Sequence, residues 1–398
     1  MRPDLRPVFP DIEGHAAPNN SFYMKLTIKK DQLVNALNLV TPITDKSSSK
    51  PILSNFLLHA EGAGKEGKVD ASATDYEMSL KGTYAADVQE PGSICISAKK
   101  ALDVCREFMA DEIRIESDNQ LWVTLQGGPA RLRLPSVDTG LYPQMEKQEL
   151  PNGFTLNAKE LGRYLALTVF ATQTTETRKN LTGVCLNVQA GGLSKWTATD
   201  GHRLAQVTRT LTGLRGESPP EIIVPRRAIV EMEKVLGDTE GDVDVSFDAR
   251  SLTLKTDGIV LSTRLVEGKF PNVDQVIPKD SERTVTVNRE RFMTGLRIVS
   301  YMSAEKIKPV KLSLTPGKLR LSTERSEFGD VTDEMDVEYD GGEFHAGFNA
   351  RYLLDVLGVA THGESVVLGM KGALHPCLIR VPNDDSFLSV VMPLRIEW

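Results

Sequence analysis

Apolar residues recur along this chain with two periods that succeed one another in a fixed order. KLTIKKDQLVNALNLV from Lys25, GFTLNAKELGRYLALT from Gly153 and TVTVNRERFMTGLRIV from Thr284 each pass from strand-like alternation into a helical stripe. The first core positions of those helices, Leu33, Leu161 and Phe292, lie 128 and 131 residues apart. A second set reads SICISAKKALDVCREFM from Ser93, EIIVPRRAIVEMEKVL from Glu221 and EFHAGFNARYLLDVLGVA from Glu343. Its apolar triplets Leu102/Cys105/Met109, Ile229/Met232/Leu236 and Leu353/Val356/Ala360 repeat at 127 and 124. Between the helices stands a third echo: ATD from Ala73, ATD from Ala198 and STE from Ser322, 125 and 124 residues apart.

Three different landmarks repeating in one order with nearly one period require three homologous units of about 125 residues, counted from Met24. Within a unit the order is strand, helix, several strands, helix, several strands. In the first unit the strands include LSNFLLHA, KVDASATD, WVTLQ and ARLRL, separated by Gly or polar turns. Each unit is then an antiparallel sheet with two helices packed on one face, an α+β architecture. Pro151 and Pro278 mark the joints and set domains at 24–150, 151–278 and 279–398. Residues 1–23, rich in Pro and Asn, read as a disordered N-terminal extension or an upstream start.

Composition adds exclusions. With 40% hydrophobic and 25% charged residues the 398-residue chain is of ordinary globular type. No run approaches the ~18 apolar residues of a membrane helix, and the first residues lack a secretory apolar stretch, so a cytoplasmic protein without a membrane partner is expected. Cys95, Cys105, Cys185 and Cys377 are scattered without a CxxC pair, so no zinc ribbon, disulfide framework, metal or cofactor is indicated.

A net charge of −7 argues against a nucleic-acid partner only at first sight, because binding depends on where charges sit. Basic residues gather on the six helices: Lys29 and Lys30; Lys99, Lys100 and Arg106; Lys159 and Arg163; Arg226 and Arg227; Arg289, Arg291 and Arg297; Arg351. Solvation of helix faces explains such a pattern equally well, and Glu160, Glu231, Glu233 and Glu290 interrupt it. Geometry favours a functional reading. Helices pack ~10 Å apart, so six in a closed ring enclose a bore of only about 9 Å once their ~10 Å thickness is subtracted. Twelve enclose about 28 Å, enough for a duplex roughly 20 Å across. Two copies of the chain can encircle DNA; one cannot.

Among local strings, GAGKEGK from Gly62 satisfies GxxxxGK, yet Val69 replaces the Ser/Thr that would hold magnesium and the segment links two strands, so it reads as a hairpin loop. TDGHRLA from Thr199 is more distinctive. The first unit has TDYEMSL in its place, so the GHRL lettering belongs to the middle unit alone, an asymmetry that marks a site. Asp200, His202 and Arg203 would suit acid–base chemistry in an enzyme, but no nucleophile motif accompanies them. NLT from Asn180 matches a glycosylation acceptor by accident. The apolar end SVVMPLRIEW is either docked in its own sheet or lines a groove for a partner.

Three repeats, ATDGHRLA in the second, FPNVDQVIP from Phe270 and a terminal VVMPLRI together make residues 24–396 closely resemble the bacterial DNA sliding clamps, the beta subunits of DNA polymerase III. The resemblance implies a head-to-tail homodimer, half of a six-domain ring in each chain, with helices toward duplex DNA and no catalysis. It also implies a pocket for short linear motifs of the polymerase III alpha subunit, the clamp loader, other polymerases and repair proteins. Carried over by position, that pocket comprises Leu181, Thr199, Gly201, His202, Arg203, Leu204, Pro271, Val276, Asn349, Tyr352, Leu374, Pro376, Val390, Val391, Met392, Pro393, Leu394 and Arg395. Gln275 departs from an arginine common in the family, and Glu397 and Trp398 extend past the usual end.

For ring closure the resemblance implies Arg131, Leu132 and Arg133 on one edge and Tyr301, Met302, Glu327, Asp330 and Asp333 on the other. The expected DNA-facing cations, by position, are Lys46, Lys50, Lys99, Lys100, Lys159, Arg163, Arg178, Arg226, Arg227 and Arg297.

Overall fold

The computed structural model describes residues 23–44, 50–143, 150–189, 191–216, 221–302, 307–323 and 329–395. Residues 1–22, Lys46, Glu327, Glu397 and Trp398, named above, lie outside the described residues. The chain forms two compact units, Met1–Glu146 and Lys147–Trp398; the first holds one repeat and the second holds two.

The first repeat runs β1 (Lys25–Lys29), α1 (Lys30–Val40), β2 (Asn55–Glu61), β3 (Lys68–Thr74), β4 (Met78–Ala85), β5 (Asp87–Glu90), β6 (Gly92–Ser97), α2 (Ala98–Cys105), β7 (Glu112–Ser117), β8 (Trp122–Gly127) and β9 (Ala130–Pro135). The second runs β10 (Asn152–Asn157), α3 (Ala158–Val169), β11 (Gly183–Val188), β12 (Leu193–Thr199), β13 (Arg203–Thr210), β14 (Ile222–Pro225), α4 (Arg226–Gly237), β15 (Asp242–Phe247), β16 (Ser251–Lys255) and β17 (Ile259–Arg264). The third runs β18 (Arg283–Asn288), α5 (Arg289–Tyr301), β19 (Pro309–Thr315), β20 (Lys318–Ser322), β21 (Thr332–Asp336), β22 (Phe344–Asn349), α6 (Ala350–Val359), β23 (Ser365–Met370), β24 (Cys377–Val381) and β25 (Asp384–Val391).

The single sheet expected per repeat is divided in two. In the first repeat β5-β1-β7-β8-β9 and β4-β3-β2-β6 are separate layers; in the second, β10-β15-β16-β17 and β14-β11-β12-β13; in the third, β18-β23-β24-β25 and β22-β19-β20-β21. Each repeat carries two amphipathic helices, and those helices pack as pairs, α1 on α2, α3 on α4 and α5 on α6. Two apolar stripes need two apolar sheet faces to cover them. The strands alternate accordingly: β2 and β19 are buried at every second position.

Local chemistry explains the helix starts. Asn157, Asn288 and Asn349 precede α3, α5 and α6 in extended backbone, and their side chains accept amides of the first turn, each worth ~1 kcal/mol. Three cations at first helical positions have another task. Lys30 donates to the Phe108 carbonyl, Arg226 to Val169 O at 2.6 Å and Arg289 to Leu357 O at 2.7 Å. Each thus satisfies a carbonyl at or beyond the C-terminal end of its partner helix, where positive charge is favoured.

One further expectation fails. α2 ends at Cys105, and Met109, expected as its last core position, is 98% exposed; the chain leaves the helix and Phe108 takes the buried place at 3%. The GAGKEGK segment behaves as anticipated, turning between the paired strands β2 and β3 with Gly62 and Gly64 left-handed at φ 83° and 59°. All four cysteines are buried and free, and burial pushes the Cys95, Cys105 and Cys377 thiols up to about 12.

Within the second unit the two repeats share one eight-stranded sheet, β14-β11-β12-β13-β25-β24-β23-β18. Its seam is the antiparallel pair β13 and β25, with Arg203 opposite Val391, Leu204 opposite Val390 and Val207 opposite Phe387. The apolar C-terminal segment is therefore a strand in the sheet, and it continues beyond: Met392 N bonds His202 O at 2.8 Å and Leu394 N bonds Gly347 O at 2.8 Å.

Candidate peptide-binding cleft

Beside this seam lies a cleft of about 230 Å³, lined by Arg178, Leu181, Thr199, Gly201, Arg203, Leu204, Pro271, Asn272, Val273, Val276, Val390 and Met392. Leu181 ends a short 3-10 turn and packs with Cys185, Ile223 and Phe270; Leu204 and Val390 pack with Leu378 across the seam. The floor is thus the exposed margin of two apolar clusters that meet where β13 joins β25. Val273 touches both clusters and bridges them.

The TDGHRL turn is built by Asp200. Its Oδ1 accepts the amides of His202 at 2.9 Å and Arg203 at 3.0 Å, while Oδ2 takes Arg203 Nε at 3.1 Å. Thr199 Oγ1 donates to Arg203 O at 2.7 Å and accepts from Gly201 N at 3.1 Å. Gly201 is left-handed at φ 88°, and an added Cβ would meet the Arg178 guanidinium at 2.9 Å. The left-handed backbone favours glycine here, and the bare Cα leaves room that the Arg178 guanidinium takes.

Arg203 is only 10% exposed at its side chain, ion-paired with Asp200 and with Asp355 of α6. Its guanidinium lies 4.6 Å from the Tyr352 ring centroid and 5.4 Å from that of Phe170. His202 stacks on Tyr352 at 6.3 Å with rings inclined by 21°. Burial, reinforced by Asp200, raises the Tyr352 phenol above its ordinary value. These contacts leave the acid–base reading without support, because both Asp200 oxygens hold the turn and the His202 ring is placed against an aromatic face. Among the described residues no group of three or more His, Cys, Asp or Glu side chains could hold a metal ion, and no helix is long and apolar enough to cross a membrane.

Of the pocket residues expected from sequence, Leu181, Thr199, Gly201, Arg203, Leu204, Pro271, Val276, Val390 and Met392 meet in this cleft. Pro376 lines a neighbouring hollow with Gln275, Val276, Lys279, Lys371 and His375, and Leu374 is 56% exposed. Val391 is fully buried, Asn349 is spent on capping α6, and Pro393, Leu394 and Arg395 follow the seam strand. Sequence reasoning missed Asn272, Val273 and Arg178. Asn272 and Val273 lie inside the FPNVDQVIP string, and Arg178 opens RKNL, three residues before Leu181.

Arg178, expected among the DNA-facing cations, instead lines the cleft and donates to Asp200 O at 2.9 Å. Arg226 is half-buried between α3 and α4, and Arg163 is held by Asp384 at 3.3 Å. Lys50, Lys99, Lys100, Lys159, Arg227 and Arg297 are exposed.

On the expected closing edges, β9 and β21 are each the last strand of their sheet. Arg131 and Arg133 are exposed and Leu132 half-buried; Arg133 pairs with Asp118 at 3.0 Å and covers the Trp122 ring. Asp333 is already engaged by Arg291 through two bonds of 2.6 and 2.7 Å, which hold its carboxyl below the usual range. Asp330 is exposed, Tyr301 is 85% exposed and Met302 is half-buried.

Comparison with known proteins places this geometry. The family models of the DNA polymerase III beta subunit match in chain order: the N-terminal domain at 24–146, the central domain at 155–272 and the C-terminal domain at 274–395. The beta sliding clamp of Caulobacter vibrioides is 34% identical over 379 residues, covering 94% of this chain and 100% of that protein; the clamp of Pseudomonas aeruginosa is 30% identical over 377 residues, with the same shares. Among solved structures, the sliding clamp of Bartonella birtlesii bound to griselimycin superposes with a TM-score of 0.88 at 30% identity, covering 94% of this chain and 100% of that one. The chain belongs to the family of DNA polymerase III beta subunits, the sliding clamps, which are non-catalytic processivity factors of that polymerase.

Proposed function

We propose that two copies of this chain, with domains at 24–150, 151–278 and 279–398, close head to tail into a cytoplasmic six-domain ring around duplex DNA. The ring holds DNA topologically, so sequence-independent phosphate attraction from exposed cations such as Lys99, Lys100, Lys159 and Arg297 is enough to centre the duplex while it slides. The cleft beside β13 and β25 then tethers the polymerase III alpha subunit, the clamp loader, other polymerases and repair proteins through short motifs with apolar anchors. Its Leu, Val, Pro and Met lining suits such anchors.

The observation that carries this reading is the seam inside the second unit. β21 stands in its repeat where β13 stands in the one before: each ends its own repeat's four strands, beside the middle strand of a three-stranded meander, β20 or β12. β9 likewise matches β25, next to β8 or β24. A second copy can therefore extend β21 with its β9 as β13 is extended by β25. Transferring the seam register sets Arg131 of one copy opposite Asp333 of the other, and Leu132 opposite Thr332. A contact between unlike edges that closes after two copies is heterologous and cyclic. Tyr301 and Ile298, 85% and 40% exposed on α5 next to β21, add apolar area to that edge.

Sedimentation tests the assembly. The unmodified chain should run at the two-copy mass, and reversing Arg131 and Arg133 to Glu should shift it toward one copy. Unchanged sedimentation of that variant contradicts the proposed edge.

A further inference from the structure

Val276, 48% exposed, lines two spaces at once: the cleft, and beyond it a hollow of about 700 Å³. The two form one groove crossed by a single valine side chain. Ile277 carries the floor across, because it lines the hollow and packs on Leu204, Leu378 and Val390, the cluster whose margin floors the cleft. Residues 274–280 and the turn between β23 and β24 enclose the hollow, and each brings a proline to its wall, Pro278 or Pro376. Proline has no amide hydrogen to satisfy, so its ring is presented as apolar surface. Leu374, in the turn that bears Pro376, adds a further apolar side chain, 56% exposed.

Both walls are held by their own hydrogen bonds. Val276 N donates to Val273 O at 3.0 Å and Asp274 N to Asn272 Oδ1 at 3.1 Å; on the other wall His375 N donates to Gly372 O at 3.0 Å and Arg283 Nη1 to Lys371 O at 2.7 Å. The hollow is therefore preformed, and a ligand entering it need not order it. Its carboxylates are each matched by a cation. Asp274 meets Lys195 and Asp280 meets Lys371, both at 3.5 Å, and Glu282 beside them meets Arg283 at 3.4 Å. Lys279 and His375 stand exposed at the rim, while Arg178 and Arg203 line the cleft and not the hollow. With the charges so nearly balanced, the apolar walls decide what the hollow takes.

We propose that this hollow is a second recognition site for the linear segments that dock in the cleft, and that it takes a bulky aromatic side chain lying outside their apolar anchors. The inference rests on the docking reading above. A flat ring buries a large area against proline rings and aliphatic side chains without needing a charged partner. An extended ligand advances about 3.3 Å per residue, so two residues carry it across Val276. Partial burial of the ring, less the ordering of the flanking residues, strengthens binding about five-fold.

The test uses the full chain and synthetic peptides that share a Gln and paired leucines. Each is extended by two glycines and then by Trp or Ser, beyond the first end in one pair of peptides and beyond the second end in another. The quantity read is the Trp-to-Ser affinity ratio within a pair, which a general loosening of the cleft leaves unmoved. One pair should show a ratio of about five, and Pro376→Ser should bring that ratio close to one. Pro278→Ala, which removes the other ring, should lower it as well, and serves alone if Pro376→Ser melts below the assay temperature. A ratio near one in both pairs overturns the inference and leaves the docking reading standing. So does a raised ratio that survives in the folded variants, because the ring is then seated elsewhere. Failure of the unmodified chain to bind any of the peptides overturns the docking reading and this inference with it.

Discussion

Gly201 and Tyr76 hold the same place in successive repeats, each third in a Thr-Asp-x turn and each in the left-handed region, at φ 88° and 73°. The first repeat bears a side chain there at the cost of strain, and its ring lies 4.5 Å from Lys50 Nζ. The equivalent of Phe270 in that repeat, Tyr142, is buried and donates its hydroxyl to Asn55 O at 3.2 Å. The second repeat leaves the place bare, and Arg178 moves in. Gly201→Ala should therefore cost about 1–2 kcal/mol in unfolding free energy from the left-handed backbone and should displace Arg178 from the cleft. Urea denaturation and titration with a motif peptide measure the two effects, and affinity should fall several-fold.

Met392 contributes a partly exposed side chain to the cleft, at 37%, while its backbone amide is tied to His202 O. Truncation to Ala removes apolar contact surface without touching the seam. Peptide affinity should weaken by about 1–2 kcal/mol, with a melting temperature within about 2 °C of the original. Fluorescence anisotropy and calorimetry read these separately.

Acid should loosen the second unit in two stages. Asp384, at the start of β25, receives Arg163 at 3.3 Å and Arg209 at 3.5 Å from one repeat and His362 at 2.8 Å from the other. Burial, and next the charge of Arg163, hold His362 below its ordinary 6.5. The folded state then binds fewer protons than the unfolded one, so stability is intact above pH 6.5 and declines as pH falls below it. Burial pushes Asp384 up, but hydrogen bonds from Ser386 and the nearby Arg209 outweigh it and leave the carboxyl below 3.8. Asp333 is held below 3.8 by Arg291. Their contributions are present above pH 3.8 and lost as pH falls through the lowered values. His362→Gln should abolish the first decline in unfolding free energy and spare the second.

Much of this architecture was legible because repetition multiplies weak signals. One amphipathic segment such as that at Leu33 is ambiguous, whereas the same segment at Leu161 and Phe292 is not. The cleft was legible through strings that depart from the repeat, TDGHRL and FPNVDQVIP. What escaped was the use of individual charges. Arg226, Arg163 and Arg178 look alike in sequence, yet one ties two helices, one joins an ion cluster and one lines the cleft. Each role depends on a partner far away in the chain: Val169, Asp384 and Asp200. Met109 was misplaced because periodicity does not register that α2 stops after Cys105. Asp355 carries no motif at all and becomes visible only when β13 meets β25.

The ring itself is tested most directly by retention on DNA of two topologies. After loading onto a nicked circle and onto the same molecule linearised, with salt raised to suppress phosphate contacts, the chain should remain on the circle and leave the linear form over its free ends. Equal retention on both would show a binder that grips DNA chemically, and would contradict the encircling account.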